Sequence, residues 1–107
     1  MGVFVFAPDP GQEAGRVYSR MFAPHRAGIH EDPATGSASG PLGAYLVRHG
    51  IVRATGQTRV KIVSEQGTKM GRRSLVHVTL RVSGGRISDI RVGGGVVPVL
   101  AGRLRLP

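Results

Sequence analysis

The chain has no cysteine and no asparagine among its 107 residues. Without cysteine it can form no disulfide, offers no thiolate nucleophile and holds no thiolate-ligated zinc or iron–sulfur cluster. Aromatics are few: Phe4, Phe6, Phe22, Tyr18 and Tyr45. The core must therefore be built mainly from Val, Ile, Leu and Ala. Acidic residues number only 6 against 15 basic ones, a net charge of +9. No apolar run approaches the roughly 20 residues that a membrane-spanning helix needs. The opening Met1-Gly2-Val3-Phe4 carries no basic leader region. The expected location is the cytoplasm, with no membrane partner.

What is present is glycine and arginine. The 17 glycines follow no Gly-X-Y period, which excludes a collagen-like chain. Thirteen of the 15 basic residues are Arg, whose planar fork suits carboxylates and phosphates. These arginines are scattered from Arg16 to Arg105 and do not alternate with aromatics. A base-stacking platform needs that alternation, so nucleic acid is not the expected partner. The length fits a single domain over residues 1–107.

Apolar patterning sets the expected elements. Val3–Ala7 reads as a strand closed by the turn-forming Pro8-Asp9-Pro10-Gly11. Val17–Phe22 alternates and reads as a second strand, while residues 24–35 look irregular. From about Ser37 to His49 the residues become small and apolar, and Gly50 supplies a helix-ending position. This helix is apolar on nearly all sides, which predicts burial on nearly all sides. Gly40 and Gly43 within it suit close approach by strands, and Pro41 requires a start near residues 37–40. Thr58–Ser64, Ser74–Val82 and Arg86–Val92 alternate as strands, with a hairpin turn at Ser83-Gly84-Gly85. Val96–Leu106 reads as a final strand or pair of strands, limited by Pro98 to an edge or bulge. The expected fold is α+β: a curled, barrel-like, mainly antiparallel sheet around one central buried helix.

Chemistry concentrates in His30-Glu31-Asp32-Pro33-Ala34-Thr35-Gly36-Ser37, a polar loop running into the helix start. The first N–H groups of a helix lack internal partners, and the macrodipole adds partial positive charge there. Gly36 permits close backbone approach, and Asp32 adds a carboxylate able to hold an amino or hydroxyl group. The expected ligand is thus a small carboxylate or phosphate. A bland alternative stands beside it, in which Asp32, Thr35 and Ser37 merely cap the helix. A phosphate-binding P-loop would need a lysine that is absent here. A Ser37–His30–Asp32 triad, or a metal held by His25, His30, Glu31 and Asp32, can be drawn on paper. All the triad residues lie on one short turn, however, and the metal set matches no recognised ligand spacing. No cofactor and no metal is expected.

Glu31-Asp32-Pro33-Ala34-Thr35-Gly36-Ser37-Ala38, followed by Gly40-Pro41-Leu42, resembles the signature of the phenazine-biosynthesis PhzF-like isomerase family. Arg20-Met21-Phe22-Ala23-Pro24 upstream is similar to the strand leading into it. Glu65-Gln66-Gly67, Met70-Gly71-Arg72 and Ser74 resemble its second glycine-rich block, and Gly93-Gly94 and Gly102-Arg103-Leu104 its last strands. Arg73 departs from the family, which usually has Pro before the Ser. The resemblance implies half of a diaminopimelate-epimerase-like fold, with the active site between two similar halves. It also implies substrate contacts at Asp32, Gly36 and Ser37. The family's proton-transferring Glu lies beside a Gly-Asn-Pro motif in the N-terminal half, and no such motif occurs here. The partners it implies are a small carboxylated substrate and an N-terminal half, either a separate polypeptide or a further portion of the same gene product. The alternative, from a different class, is a non-catalytic binding or assembly module in which a second copy of the chain gives a homodimer. The absence of cysteine disfavours two-thiol epimerisation and fits carboxylate-mediated proton transfer.

Overall fold

The structure is a computed structural model that describes residues 2–9, 15–23, 28–55 and 58–106. Alternation in the sequence becomes six strands and one helix. In chain order these are β1 (Val3–Pro8), β2 (Arg16–Ala23), β3 (Ile29–Asp32), α1 (Gly36–Arg48), β4 (Thr58–Gln66), β5 (Ser74–Ser83) and β6 (Arg86–Gly93). A short 3-10 turn, Thr68–Met70, links β4 to β5. The sheet order is β1-β2-β4-β5-β6, with β3 pairing beside β2. All pairings are antiparallel except β2–β4, where Arg16–Tyr18 run parallel to Val63–Glu65. Beyond Tyr18 the two strands part, and β3 takes up β2 at Met21 and Ala23. The buried hydroxyls of Ser19 and Ser64, 2.6 Å apart, sit at this fork.

The core follows the expected period. Val60, Ile62, Val78, Leu80 and Val82 face inward from β4 and β5 and meet Leu42 and Leu46 of the helix. Val17 and Val52 complete the cluster. The helix lies close on the sheet because it has glycines there. A Cβ at Gly43 would stand 2.7 Å from Val78 Cγ1, and one at Gly40 would stand 3.4 Å from Val92 Cγ2. Gly50, at φ +68°, ends the helix by donating to the Val47 carbonyl, the left-handed stop that glycine adopts most easily.

Five expectations are corrected. The sheet is open: β1 and β6 are its end strands and do not pair with each other, so the barrel-like closure is not formed. The helix is buried on one side only. Ser39, Gly40, Leu42, Gly43 and Leu46 are covered, whereas Ser37, Pro41, Tyr45 and Arg48 are exposed. It also begins at Gly36, which puts Pro41 in the second turn; Pro41 has no N–H, so the Ser37 carbonyl forgoes its ordinary helical bond. Within the stretch read as irregular, residues 29–32 form β3, held by β2 and not by any apolar period of its own; residues 24–27 lie outside the described set.

The fifth correction concerns the C-terminal segment. Residues 94–106 form no strand, and Val96, Val97, Val99, Leu100, Leu104 and Leu106 are 82–94% exposed. The pattern is strand-like, but among the described residues no sheet edge receives it. In β6 the register slips between Thr79 and Arg81 of β5. The left-handed Asp89, at φ 49°, sits at that bulge and is held by Arg91 and Arg59. Among the described residues no helix is long and apolar enough to cross a membrane.

Candidate functional site

The end of β3 places Asp32 beside Met21 of β2. Pro33 then holds Asp32 extended and stops the strand. Two residues later Thr35 takes the N-cap position of α1, and Gly36 and Ser37 are its first two helical residues. Asp32, Gly36 and Ser37 therefore do share one turn, as the residue order implied. Gly36 and Ser37 are exposed and Asp32 is partly buried.

The cap is not an ordinary one. Thr35 makes no side-chain bond to the helix start. Its hydroxyl donates to Asp32 Oδ2 instead. Ser37, also exposed, makes no side-chain hydrogen bond among the described residues. The first helical N–H groups are thus left uncapped by the residues expected to cap them, and they carry the positive end of the helix dipole.

What fixes the turn is Gln66, the last residue of β4, which is fully buried. Its Oε1 accepts from the Thr35 N–H at 3.1 Å. Its Nε2 donates to the Asp32 carbonyl at 2.7 Å and to Thr35 Oγ1 at 2.8 Å. Gly67 follows in the left-handed region at φ +76°, and a Cβ there would lie 2.8 Å from the Pro33 carbonyl oxygen. Only glycine lets β4 end this close to the turn. Gln66 was not singled out in the sequence as a site residue. The signal was present: Val60, Ile62, Ser64 and Gln66 occupy one inward-facing row, and a polar side chain at the end of a core row needs partners.

Gly36 opens onto a cleft of about 600 Å³ lined also by Ala34, Arg73, Ser74, His77 and Gly93. Among the described residues its lining includes no carboxylate, and neither Asp32 nor Ser37 is part of it. Arg73 is tied by a 2.9 Å bond to Glu65, which also accepts from Thr68 at 2.7 Å and lies 3.8 Å from Arg16. The bond from Arg73, and then that from Thr68, holds the Glu65 carboxyl below the usual range; the same pairing raises Arg73.

The other sequence candidates sit differently. Glu31 is gripped by both ends of the Arg20 fork at 2.9 Å, and that guanidinium lies 4.7 Å from the Phe22 ring centre. The Arg20 bond depresses the Glu31 carboxyl, which stays ionised as half of an ion pair. Asp32 is bonded to Thr35, and His30 is exposed on β3; the structure does not seat an imidazole between Asp32 and Ser37. His25 lies outside the described residues. Among the described residues no group of three or more His, Asp or Glu is arranged to hold a metal.

Comparison with known proteins bears on this geometry. A family model described as "Phenazine biosynthesis-like protein" matches residues 1–102. An uncharacterized isomerase from Clostridium acetobutylicum is 37% identical over 98% of the chain and 34% of its own length. The uncharacterized isomerase YddE of Salmonella typhimurium is 38% identical over 90% of the chain and 31% of its own length. The trans-2,3-dihydro-3-hydroxyanthranilate isomerase of Pseudomonas aeruginosa is 38% identical over 87% of the chain and 32% of its own length. The chain spans about a third of the length of the curated relatives it matches.

Proposed function

Since the chain belongs to the phenazine biosynthesis-like protein family, we propose that it supplies the substrate-carboxylate-binding half of a proton-transfer isomerase site. The observation that carries this is the uncapped start of α1 beside the Asp32 carboxylate. The first helical N–H groups, with Gly36 leaving room and Ser37 adding a hydroxyl, receive the substrate carboxylate. Asp32 Oδ2 is taken by Thr35, so Oδ1 holds a neighbouring amino or hydroxyl group. The name of the Pseudomonas relative describes a ring that bears carboxyl, amino and hydroxyl groups, a set this arrangement suits. The proton itself is moved by a Glu from the part of the relatives this chain does not span. That part, an N-terminal half carried on the same gene product or on a separate polypeptide, completes a diaminopimelate-epimerase-like fold, and the assembled protein works in the cytoplasm.

Calorimetric titration with 3-hydroxyanthranilate, a stable aromatic analogue, tests the binding half. Asp32→Ala and Ser37→Ala are each expected to lose about tenfold or more in affinity while keeping the parent circular-dichroism melting curve. Equal binding by both variants removes the assignment. Isomerase turnover by the isolated chain would contradict the incompleteness of its site.

A second reading has its own support. Six large apolar side chains between Val96 and Leu106 stand in solvent, and burying each is worth about 1.5–3 kcal/mol. A homodimeric binding or assembly module, in which a second copy covers this segment, accounts for them. Sedimentation showing a strict monomer at all concentrations excludes it.

A further inference from the structure

We propose that Gln66 is a positioning residue for the Asp32 carboxylate and acts through the Thr35 hydroxyl. The proposal rests on the reading of Asp32 as a ligand contact. The orientation of the Gln66 amide follows from its neighbours. The Thr35 backbone N–H can only donate, so the atom facing it is Oε1; the Asp32 carbonyl can only accept, so the atom facing it is Nε2. The flip that leaves a Gln ambiguous in other settings is therefore closed here.

That orientation decides the proton on Thr35. Nε2 has two N–H groups; one goes to the Asp32 carbonyl and the other to Thr35 Oγ1. Since Oγ1 accepts from Gln66, its single proton is directed to Asp32 Oδ2. Gln66 is fully buried and Thr35 is 8% exposed, so water does not compete effectively for these bonds. One amide at the end of β4 thus clamps the turn backbone and also fixes which carboxylate oxygen is occupied. Asp32 is thereby held in one orientation, with Oδ2 occupied and Oδ1 left for a ligand donor. Outer support of this kind, locking the rotamer of a contact residue, is what a precise site requires.

Thr35→Val separates the relay from the clamp. It keeps the β-branched shape and the backbone N–H that bonds Gln66, but removes the hydroxyl. Thr35→Ser restores the hydroxyl. Gln66→Glu keeps the shape of the side chain, but its carboxylate cannot donate and draws the Thr35 proton away from Asp32. The Asp32 side-chain rotamer, read from three-bond NMR couplings, is expected to be single in the parent and in Thr35→Ser. It is expected to be averaged in Thr35→Val and Gln66→Glu. Affinity for 3-hydroxyanthranilate is expected to fall roughly tenfold or more in each of the latter two. The double variant should lose no more than Gln66→Glu alone, and Thr35→Val should cost nothing further in an Asp32→Ala background.

A single Asp32 rotamer in Thr35→Val, or losses that multiply in the double variant, overturns the proposal. Where Gln66→Glu fails to fold, Thr35→Val and its serine counterpart decide. A parent chain that does not bind the probe defeats the ligand reading of Asp32, while the couplings still decide whether Gln66 orients it.

Discussion

Replacing Gly43 by alanine sets two effects of known size against each other. In a helix interior alanine is favoured over glycine by about 1 kcal/mol. At this position, however, the new methyl would stand 2.7 Å from Val78 Cγ1 and 3.5 Å from Leu80 Cδ2. Val78 and Leu80 are each 1% exposed and packed in the centre of the core. A β-branched side chain is restricted at χ1 and Val78 is enclosed by the core, so relief of the contact requires the strand or the helix to shift. Overpacking of this kind costs roughly 1–3 kcal/mol, and the clash outweighs the propensity gain. Gly40 is the internal control. Its methyl would meet Val92 Cγ2 at 3.4 Å and Ile90 Cγ2 at 3.6 Å, and those side chains are 40% and 44% exposed on the end strand β6. They can give way, so Gly40→Ala is expected to be neutral or up to about 1 kcal/mol more stable. The two variants should differ by about 2 kcal/mol, roughly 10 °C in melting temperature for a chain of this size. Urea denaturation followed by circular dichroism at 222 nm measures the difference. If Gly43→Ala is as stable as Gly40→Ala, the close seating of α1 on β5 is wrong, and with it the placement of the turn at the helix start.

Glu31, Glu65 and Asp89, whose carboxyls are depressed by bonds from Arg20, Arg73 and Arg91 respectively, contribute to the acid limb of stability. In the unfolded chain these groups bind protons more readily, so stability is full above the ordinary carboxylate range and declines as pH falls through it and below. The urea midpoint should follow that course, with a shallower decline in Glu31→Gln; superimposable acid limbs would show that the Arg20 pair contributes nothing. Deleting residues 96–106 should leave the melting temperature unchanged, because their large side chains stand in solvent. A drop of several degrees would mean that this segment packs on the body of the protein.

Much of the sheet was legible because a half-buried strand writes its burial into its sequence. Val60, Ile62 and Ser64, and Val76, Val78, Leu80 and Val82, alternate with exposed or half-exposed residues as the pattern predicts, and a one-residue slip would turn each row outward. β3 was not legible. Ile29-His30-Glu31-Asp32 has a single apolar residue, and it is a strand only because β2 leaves the edge beyond Tyr18 open to it. The C-terminal segment failed in the opposite way: its apolar residues carry a strand pattern, but a strand also needs a neighbour. For the helix, composition overstated burial, since Pro41 and Tyr45 are apolar yet lie on the exposed side. At the site, Asp32, Gly36 and Ser37 were readable because a turn entering a helix is local chemistry. The redirection of the Thr35 hydroxyl from the helix to Asp32 was not, because the residue responsible, Gln66, lies 31 positions away.

That separation predicts that the site forms late in folding. β4, β5 and β6 are successive hairpins that close short loops. The parallel contact between β2 and β4, and the grip of Gln66 on Thr35, close long ones, whose entropic cost rises with loop length. A molecule with its C-terminal hairpins already native has no ordered Asp32 until the fork at Ser19 and Ser64 has come together. Hydrogen exchange at the Thr35 amide, which bonds to Gln66 and to no neighbour in sequence, therefore times the assembly of the whole sheet from within its binding turn.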